Sequence, residues 1–273
     1  MAVVSRDVER LRSGKAWIFD MDGVLYRGDT ALAGVEAIFT ALTRRGIPFA
    51  LATNNSMASP EQYVAKLAKM GITVDAETIV TSAMATRDYV TATHGPRAKL
   101  FVIGMPALTE QLLVGTEFSI VDPLTEKADA LVMGLDRDIT YDKLLRGHRA
   151  VLDGASFVAT NADVTLPTEL GLVPGCGALV AAMAASTGVT PVVMGKPEAH
   201  LLDASTTRMG ISPVDTVMVG DRLDTDIQAG NTAGMLSVLV LTGVSTRDDL
   251  PRFSARPDII CDDLPHLQAL LEG

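Results

Sequence analysis

The sequence predicts an α/β fold in which a parallel sheet is covered by helices and a second α/β unit is inserted into the first. Short β-branched runs alternate with longer amphipathic segments, as strands and covering helices do in such folds. The same alternation occupies roughly Ala85 to Thr190 with elements of its own. We therefore expect a discontinuous core domain from residues 1–84 and 191–273, and an inserted domain from residues 85–190.

The elements of the core are predicted from apolar runs and from the residues that end them. In chain order they are strand Ala16–Phe19, helix Ala31–Arg45, strand Pro48–Ala52, helix Glu61–Met70, strand Val192–Met194, strand Thr216–Val219, helix Asp226–Ala233 and strand Leu236–Leu241. Gly46, Gly71 and Gly234 follow predicted helices as C-caps. The inserted unit is predicted as strand Leu100–Ile103, helix Ala107–Leu113, strand Ala130–Met133, helix Tyr141–Leu152 and strand Phe157–Ala159.

Composition excludes several classes of protein. Hydrophobic residues make up 48% of the chain and charged residues 21%, which is typical of a globular fold and argues against disorder. The formal net charge of −10 opposes binding to nucleic acid or to an anionic membrane, so we expect neither as a partner. Two cysteines, Cys176 and Cys261, are too few for a disulfide framework, and Met1 to Lys15 lacks the apolar run of a secretory signal. We expect a soluble, cytoplasmic protein.

Two carboxylates, Asp20 and Asp22, come directly after the strand Ala16–Phe19, and Gly23 indicates that the chain turns there. In such a turn Asp20 can face a phosphorus atom in line while Asp22 reaches the oxygen of the leaving group. Phosphoryl transfer to a carboxylate needs such a pair, one as the nucleophile and one as an acid that then activates water. Taken alone, the same pair can also cap a turn.

Two further polar groups follow predicted strands. Thr53-Asn54-Asn55-Ser56 offers hydroxyl, amide and backbone N–H groups that can hold phosphate oxygens. Lys196 follows the strand Val192–Met194, and Pro197 predicts the first position of a helix, where the dipole favours an anion. The alternatives are an Asx turn that caps the helix near Pro60 and a solvated surface lysine.

An acidic segment, Gly220-Asp221-Arg222-Leu223-Asp224-Thr225-Asp226, follows the strand Thr216–Val219. Asp221 stands where a hard cation would be held, and Mg²⁺ prefers one or two carboxylates together with water and phosphate oxygens. Asp226, and less strongly Asp224, is a candidate second ligand through water or an outer-shell partner. The alternative is an acidic first turn of a helix, which the helix dipole favours.

All four groups are predicted at the carboxyl ends of strands, the edge of an open α/β sheet where ligands bind. Turn chemistry alone does not account for four such groups, so their combination favours a site that processes phosphate. Their order also resembles that of the haloacid dehalogenase superfamily. The stretches that resemble its NagD-like, 4-nitrophenyl phosphate and phosphoglycolate phosphatases are Trp17–Tyr26, Ala52–Ser56, Gly134–Arg137, Ala159–Pro167, Pro174–Gly177, Gly195–Pro197 and Val219–Ile227.

The resemblance implies a Rossmann-like, doubly wound core with an inserted α/β cap, and it implies a role for each matching residue. Asp20 would be the nucleophile and a magnesium ligand, and Asp22 the acid and base that gives its backbone carbonyl to the metal. Thr53 and Asn54 would bind the phosphate. Lys196 would offset its charge and Asp221 would complete the Mg²⁺ site.

The resemblance further implies that the cap selects the substrate and that a homodimer forms through it. The loop from Asn161 to Gly177 is expected to face the leaving group, where Asn161 and Asp163 either bond a polyol or structure the loop through Asx turns. We expect a magnesium-dependent phosphatase that acts on a small phosphorylated metabolite, such as a sugar phosphate, glycerol phosphate, phosphoglycolate, a nucleotide or 4-nitrophenyl phosphate. The alternatives are a phosphotransferase or mutase on the same scaffold and a catalytically silent binding protein.

Overall fold

The computed structural model describes residues 6–168 and 171–273, and it confirms the α/β fold class. The described strands are β1 (Ala16–Phe19), β2 (Tyr26–Arg27), β3 (Thr30–Ala31), β4 (Phe49–Thr53), β5 (Ile79–Thr81), β6 (Lys99–Ile103), β7 (Ser119–Ile120), β8 (Ala130–Met133), β9 (Ser156–Ala159), β10 (Thr165–Thr168), β11 (Gly171–Pro174), β12 (Val192–Val193), β13 (Thr216–Gly220), β14 (Leu236–Val240) and β15 (Ile259–Cys261). The described helices are α1 (Arg6–Ser13), α2 (Val35–Arg44), α3 (Pro60–Lys69), α4 (Ser82–His94), α5 (Pro106–Leu113), α6 (Tyr141–Leu152), α7 (Cys176–Thr187), α8 (His200–Met209), α9 (Gln228–Ala233) and α10 (Leu264–Glu272).

The chain divides into two compact units. The core unit takes in the described residues of Met1–Thr53, Pro60–Val80 and Lys196–Gly273, and the insert unit takes in those of Asn54–Ser59 and Thr81–Gly195. The last boundary falls later in the chain than the expected residue 190, because β12 pairs in parallel with β9 of the insert unit. The short excursion into the insert unit directly after β4 has no counterpart in the boundaries expected from the sequence.

The core unit is built on a six-stranded sheet with the order β15-β14-β13-β1-β4-β5. The pairs from β15 to β4 are parallel. From β1 the chain moves outward through β4 and β5 on one side and through β13, β14 and β15 on the other, so the strand order reverses beside β1. Trp17, Ile18 and Phe19 of β1 are completely buried, which is typical of a central parallel strand with both faces covered. Ligands bind at such a reversal point, at the carboxyl ends of the strands.

The insert unit has its own five-stranded sheet, with the order β12-β9-β8-β6-β7 and parallel pairing throughout. The expectation of a loop from Asn161 to Gly177 was wrong, because that stretch contains the antiparallel hairpin β10–β11 and the start of α7. Two four-residue strands are too short for a clear period-2 pattern, and Pro167 weakens the strand signal further.

Three helix starts in the core unit differ from the predicted ones. The helix expected from Ala31 begins at Val35, because Ala31 belongs to the short strand β3. Pro197 was expected to begin a helix, but α8 begins at His200, and Pro197 lies in the preceding turn with a cis Lys196–Pro197 peptide bond. The helix expected from Asp226 begins instead as a π-helical turn over Leu223–Ile227 that continues into α9. A single wide turn at a helix start leaves no periodic signal in the sequence.

Among the residues that the structure describes, none of the helices is both long enough and apolar enough to cross a lipid bilayer. The cytoplasmic location expected from the sequence stays a prediction.

Candidate active site

The turn that follows β1 places its two carboxylates in different surroundings. Asp20 donates its backbone N–H to the Val219 carbonyl at 2.9 Å, which continues the β1–β13 pairing by one residue. The side chain of Asp20 is 16% exposed to solvent. Gly23 then adopts a positive φ of 85° and donates its N–H to the carbonyl of Tyr26 at 2.8 Å. The resulting tight turn leaves Asp22 exposed, beside the partly buried Asp20.

Lys196 is 2% exposed and stands between two carboxylates. Its Nζ donates to Asp20 Oδ1, lies 2.8 Å from Asp226 Oδ1 and donates to the Ala52 carbonyl at 3.2 Å. Burial by itself would lower the pKa of Lys196, but the charges and hydrogen bonds of Asp20 and Asp226 raise it above its usual value. The ammonium therefore stays charged, and it is the positive charge held between Asp20 and Asp226.

Asp221 follows β13 directly and is held by backbone groups from a neighbouring strand end. Its Oδ2 accepts the N–H of Val244 at 2.7 Å. Gly243 makes this approach possible, because a Cβ on that residue would lie 1.8 Å from Asp221 Oδ2. Asp226 Oδ2 in turn accepts the N–H groups of Asp221 and Arg222, each at 3.1 Å. Both oxygens of Asp226 are thus bonded to the protein, as expected of an outer-shell carboxylate.

Asp20, Asp221 and Asp226 each place one carboxylate oxygen within 4.8 Å of the other two. Burial, together with the negative charge of Asp226, raises the pKa of Asp20 to about 7 and that of Asp221 to about 8. When all three carboxylates are ionised, they outnumber the single ammonium of Lys196 and carry an excess of negative charge in a buried place. A hard divalent cation with oxygen ligands would offset that excess, so the set of donors fits Mg²⁺.

The residues expected to bind phosphate and substrate divide between the two units. Thr53 belongs to the core unit, whereas Asn54, Asn161 and Asp163 belong to the insert unit. Thr53 is the buried last residue of β4 in the core unit. In the insert unit, the Asn54 carbonyl accepts Ser82 Oγ at 2.6 Å and Asn161 Nδ2 at 2.9 Å. Asn54 Nδ2 donates to Asp163 Oδ2 at 3.3 Å, and Asn161 Oδ1 accepts the Asp163 N–H at 3.1 Å. Asn161 thus forms the Asx turn that was one of its two expected roles.

The structure brings Asp20, Lys196, Asp221 and Asp226 into one cluster of the core unit. Sequence reasoning missed the segment after β14, where Gly243 and Val244 hold Asp221. The available signal was Gly243, which follows the predicted strand Leu236–Leu241. Ligand-binding groups lie at the carboxyl ends of parallel strands, and this segment lies at such an end like the other four groups.

Two family models match the chain. One, described as a haloacid dehalogenase-like hydrolase, matches residues 17–114, and the other, described as HAD-hydrolase-like, matches residues 193–267. The chain is also similar to an acid sugar phosphatase of Staphylococcus aureus, with 38% identity over 262 residues that cover 96% of this chain and 100% of that protein.

Solved structures resemble the whole chain as well. A 4-nitrophenylphosphatase from Thermotoga maritima has a TM-score of 0.88 at 34% identity, over 96% of this chain and 99% of that one. A glycerol phosphate phosphatase from Mycobacterium tuberculosis, in complex with magnesium, has a TM-score of 0.86 at 33% identity, over 94% of this chain and 78% of that one.

Proposed function

Because the chain belongs to the haloacid dehalogenase-like hydrolases and is a phosphoric monoester hydrolase of their NagD-like subgroup, we propose that it cleaves small phosphate esters through a phosphorylated Asp20. The observation that carries this proposal is the ion pair of Lys196 with both Asp20 and Asp226 at the carboxyl edge of the sheet. The similar proteins are named for acid sugar, 4-nitrophenyl and glycerol phosphates, which supports the same class of substrate here.

The first step forms the aspartyl phosphate. A carboxylate oxygen of Asp20 attacks phosphorus, and the bond from phosphorus to the oxygen of the leaving alcohol breaks. Asp22 gives its proton to that oxygen, for which its exposed position beside Asp20 is suited. Lys196 offsets charge on the transferring oxygens, while Thr53 and Asn54 contact the oxygens that do not react.

The second step regenerates Asp20. Asp22, now ionised, takes a proton from water, and the hydroxyl attacks the phosphorus of the aspartyl phosphate. The bond from phosphorus to Asp20 breaks, inorganic phosphate leaves, and Asp22 again carries a proton for the next cycle. One carboxyl group thus serves as acid and then as base, which explains why two aspartates are required.

Mg²⁺ is the cofactor that the cluster favours. The carboxylates of Asp20 and Asp221 and the backbone carbonyl of Asp22 would hold it, with Asp226 in the outer shell. When bound, Mg²⁺ offsets the charge of the carboxylates and of the phosphate oxygens. Asp226 serves meanwhile to position the ammonium of Lys196 and the backbone N–H of Asp221.

The insert unit is proposed to select the substrate and to form a homodimer. Asp163 is a candidate contact for a hydroxyl of the leaving group, whereas Asn161 positions the loop that carries it. Three large hydrophobic side chains on α6 support a dimer interface, because they are exposed to solvent. They are Tyr141, Leu145 and Leu152, with exposed fractions of 81%, 39% and 54%.

Asp20→Asn tests the mechanism. An amide is a poor nucleophile but nearly isosteric, so we expect phosphate release from 4-nitrophenyl, glycerol and sugar phosphates to disappear while the thermal unfolding temperature is retained. The matched control is Asp262→Asn, because Asp262 is exposed and pairs with Arg247 at 3.2 Å on the surface. Turnover close to wild type by Asp20→Asn would refute the intermediate, and turnover by the wild type in EDTA would refute the need for magnesium.

A further inference from the structure

The segment Asn54–Ser59, here called the anchored segment, follows Thr53 at the end of β4 but belongs to the insert unit. It lies outside helices and strands, so no backbone ladder holds it in place. Side chains of the insert unit bond it instead, some on its carbonyl groups and one, Thr160, on the hydroxyl of Ser56. Since Asn54 and Thr53 are adjacent, whatever orients the anchored segment also orients the proposed phosphate contacts.

Gln111 on α5 makes the deepest of these bonds. It is 5% exposed, and its Nε2 donates to the carbonyls of Ser56 at 3.3 Å and Ala58 at 3.2 Å, as well as to that of Ala107 in its own helix at 3.0 Å. Its Oε1 accepts the hydroxyl of Thr81 at 2.6 Å. This buried amide therefore joins the anchored segment to the start of α4, in addition to the bond from Ser82 Oγ to the Asn54 carbonyl.

The chemistry of these partners requires an amide at this position. The donor end of Gln111 meets only carbonyl oxygens, and its acceptor end meets a hydroxyl that also accepts the N–H of Met84 as the N-cap of α4. A carboxylate would set negative charge against carbonyl oxygens, and an apolar side chain would leave buried carbonyls without a donor. α5 does not need such a group for its own packing, because Leu108 and Leu112 already fill the apolar cluster beneath it.

We propose that Gln111 is a positioning residue for phosphate binding. By fixing Ser56 and Ala58, it limits the conformations open to Asn54 and, through the peptide chain, to Thr53. The inference rests on the proposed function, since it assumes that Thr53 and Asn54 contact the phosphate. Gln111 touches neither substrate nor metal and acts only through the anchored segment.

Gln111→Met tests the inference, because methionine has a similar size and shape but cannot make these hydrogen bonds. We expect KM for 4-nitrophenyl phosphate and the inhibition constant of inorganic phosphate to rise together by about tenfold, with a smaller change in kcat. Inorganic phosphate reports on the phosphate contacts alone, because it has no leaving group. Hydrogen exchange of the backbone amides of Asn54–Ser59 is expected to become faster in the same variant.

Val90→Ala is the matched control for a general loss of stability. Val90 is completely buried in the apolar cluster of the insert unit that also contains Leu108 and Leu112. We expect it to lower the unfolding temperature while leaving the inhibition constant of phosphate unchanged.

The inference is overturned if Gln111→Met leaves exchange in the anchored segment unchanged, or if exchange becomes faster while phosphate inhibition stays as in the wild type. It is also overturned if Val90→Ala weakens phosphate inhibition equally. Failure of the proposed function looks different, because the wild type itself would then release no phosphate from any ester and bind none.

Discussion

Gly243→Ala tests whether the close approach of a backbone to Asp221 holds the metal site together. An alanine Cβ at this position would lie 1.8 Å from Oδ2 and 2.3 Å from Cγ of Asp221, where real Cβ contacts under 3.0 Å essentially never occur. The carboxylate must therefore move by at least about 1.2 Å, or the backbone of Gly243 must retreat. Either movement breaks the 2.7 Å hydrogen bond from the Val244 N–H to Asp221.

The size of the effect follows from what is lost. A hydrogen bond to a charged group contributes about 1.5–3 kcal/mol, and a displacement of about 1 Å in an active site can cost about 100-fold in rate. We expect the affinity for Mg²⁺, read from the magnesium dependence of kcat/KM and from calorimetric titration, to fall by about 10- to 100-fold. The expected loss of global stability is smaller, because the strands themselves are not altered.

Gly46→Ala is the control for the backbone cost of adding a Cβ. Gly46 has a φ of 67° but no atom within 4 Å of the added carbon, so alanine there strains the backbone without touching the cluster. It should lower the unfolding temperature and leave magnesium affinity unchanged. If Gly243→Ala binds magnesium within twofold of the wild type and turns over normally, the proposed role of Asp221 is refuted.

Two further predictions concern pH and assembly. Burial raises the pKa of Asp20 to about 7 and that of Asp221 to about 8, above the usual 3.8, so the metal-free fold favours their protonated forms. The free energy of unfolding in EDTA is therefore expected to fall as pH rises from about 4 to about 8. Mg²⁺ should raise the unfolding temperature more at pH 8 than at pH 5. An equal rise in unfolding temperature at both pH values would contradict the prediction. For the homodimer, replacing Tyr141 and Leu145 together by glutamate should convert dimer to monomer in light scattering with kcat retained per chain, and a wild type that is already monomeric at about 0.1 mM would refute the interface.

The local pattern predicted most of the core unit because its strands are buried on both faces. A buried parallel strand appears in the sequence as a short continuous apolar run, and β1 of the core unit (Ala16–Phe19) was predicted with the bounds that the structure has. In the insert unit the same holds for the strand Ala130–Met133 and for the amphipathic helix Tyr141–Leu152. The hairpin β10–β11 was missed because its strands are too short for a pattern to be distinguished. The start of α8 was misplaced because Pro197 occupies a turn that only its neighbours in space define.

The sequence by itself determined which side chains stand at the carboxyl ends of the strands, because strand and turn signals are local and parallel strands share one edge. Only the tertiary structure decided what those side chains do to one another. Lys196 pairs with Asp20 and Asp226 although 176 residues separate the lysine from the first of them, and Asn161 uses its amide to hold a loop. The charge state and partners of a buried polar group depend on desolvation and on neighbours in space, and neither is written in the nearby sequence.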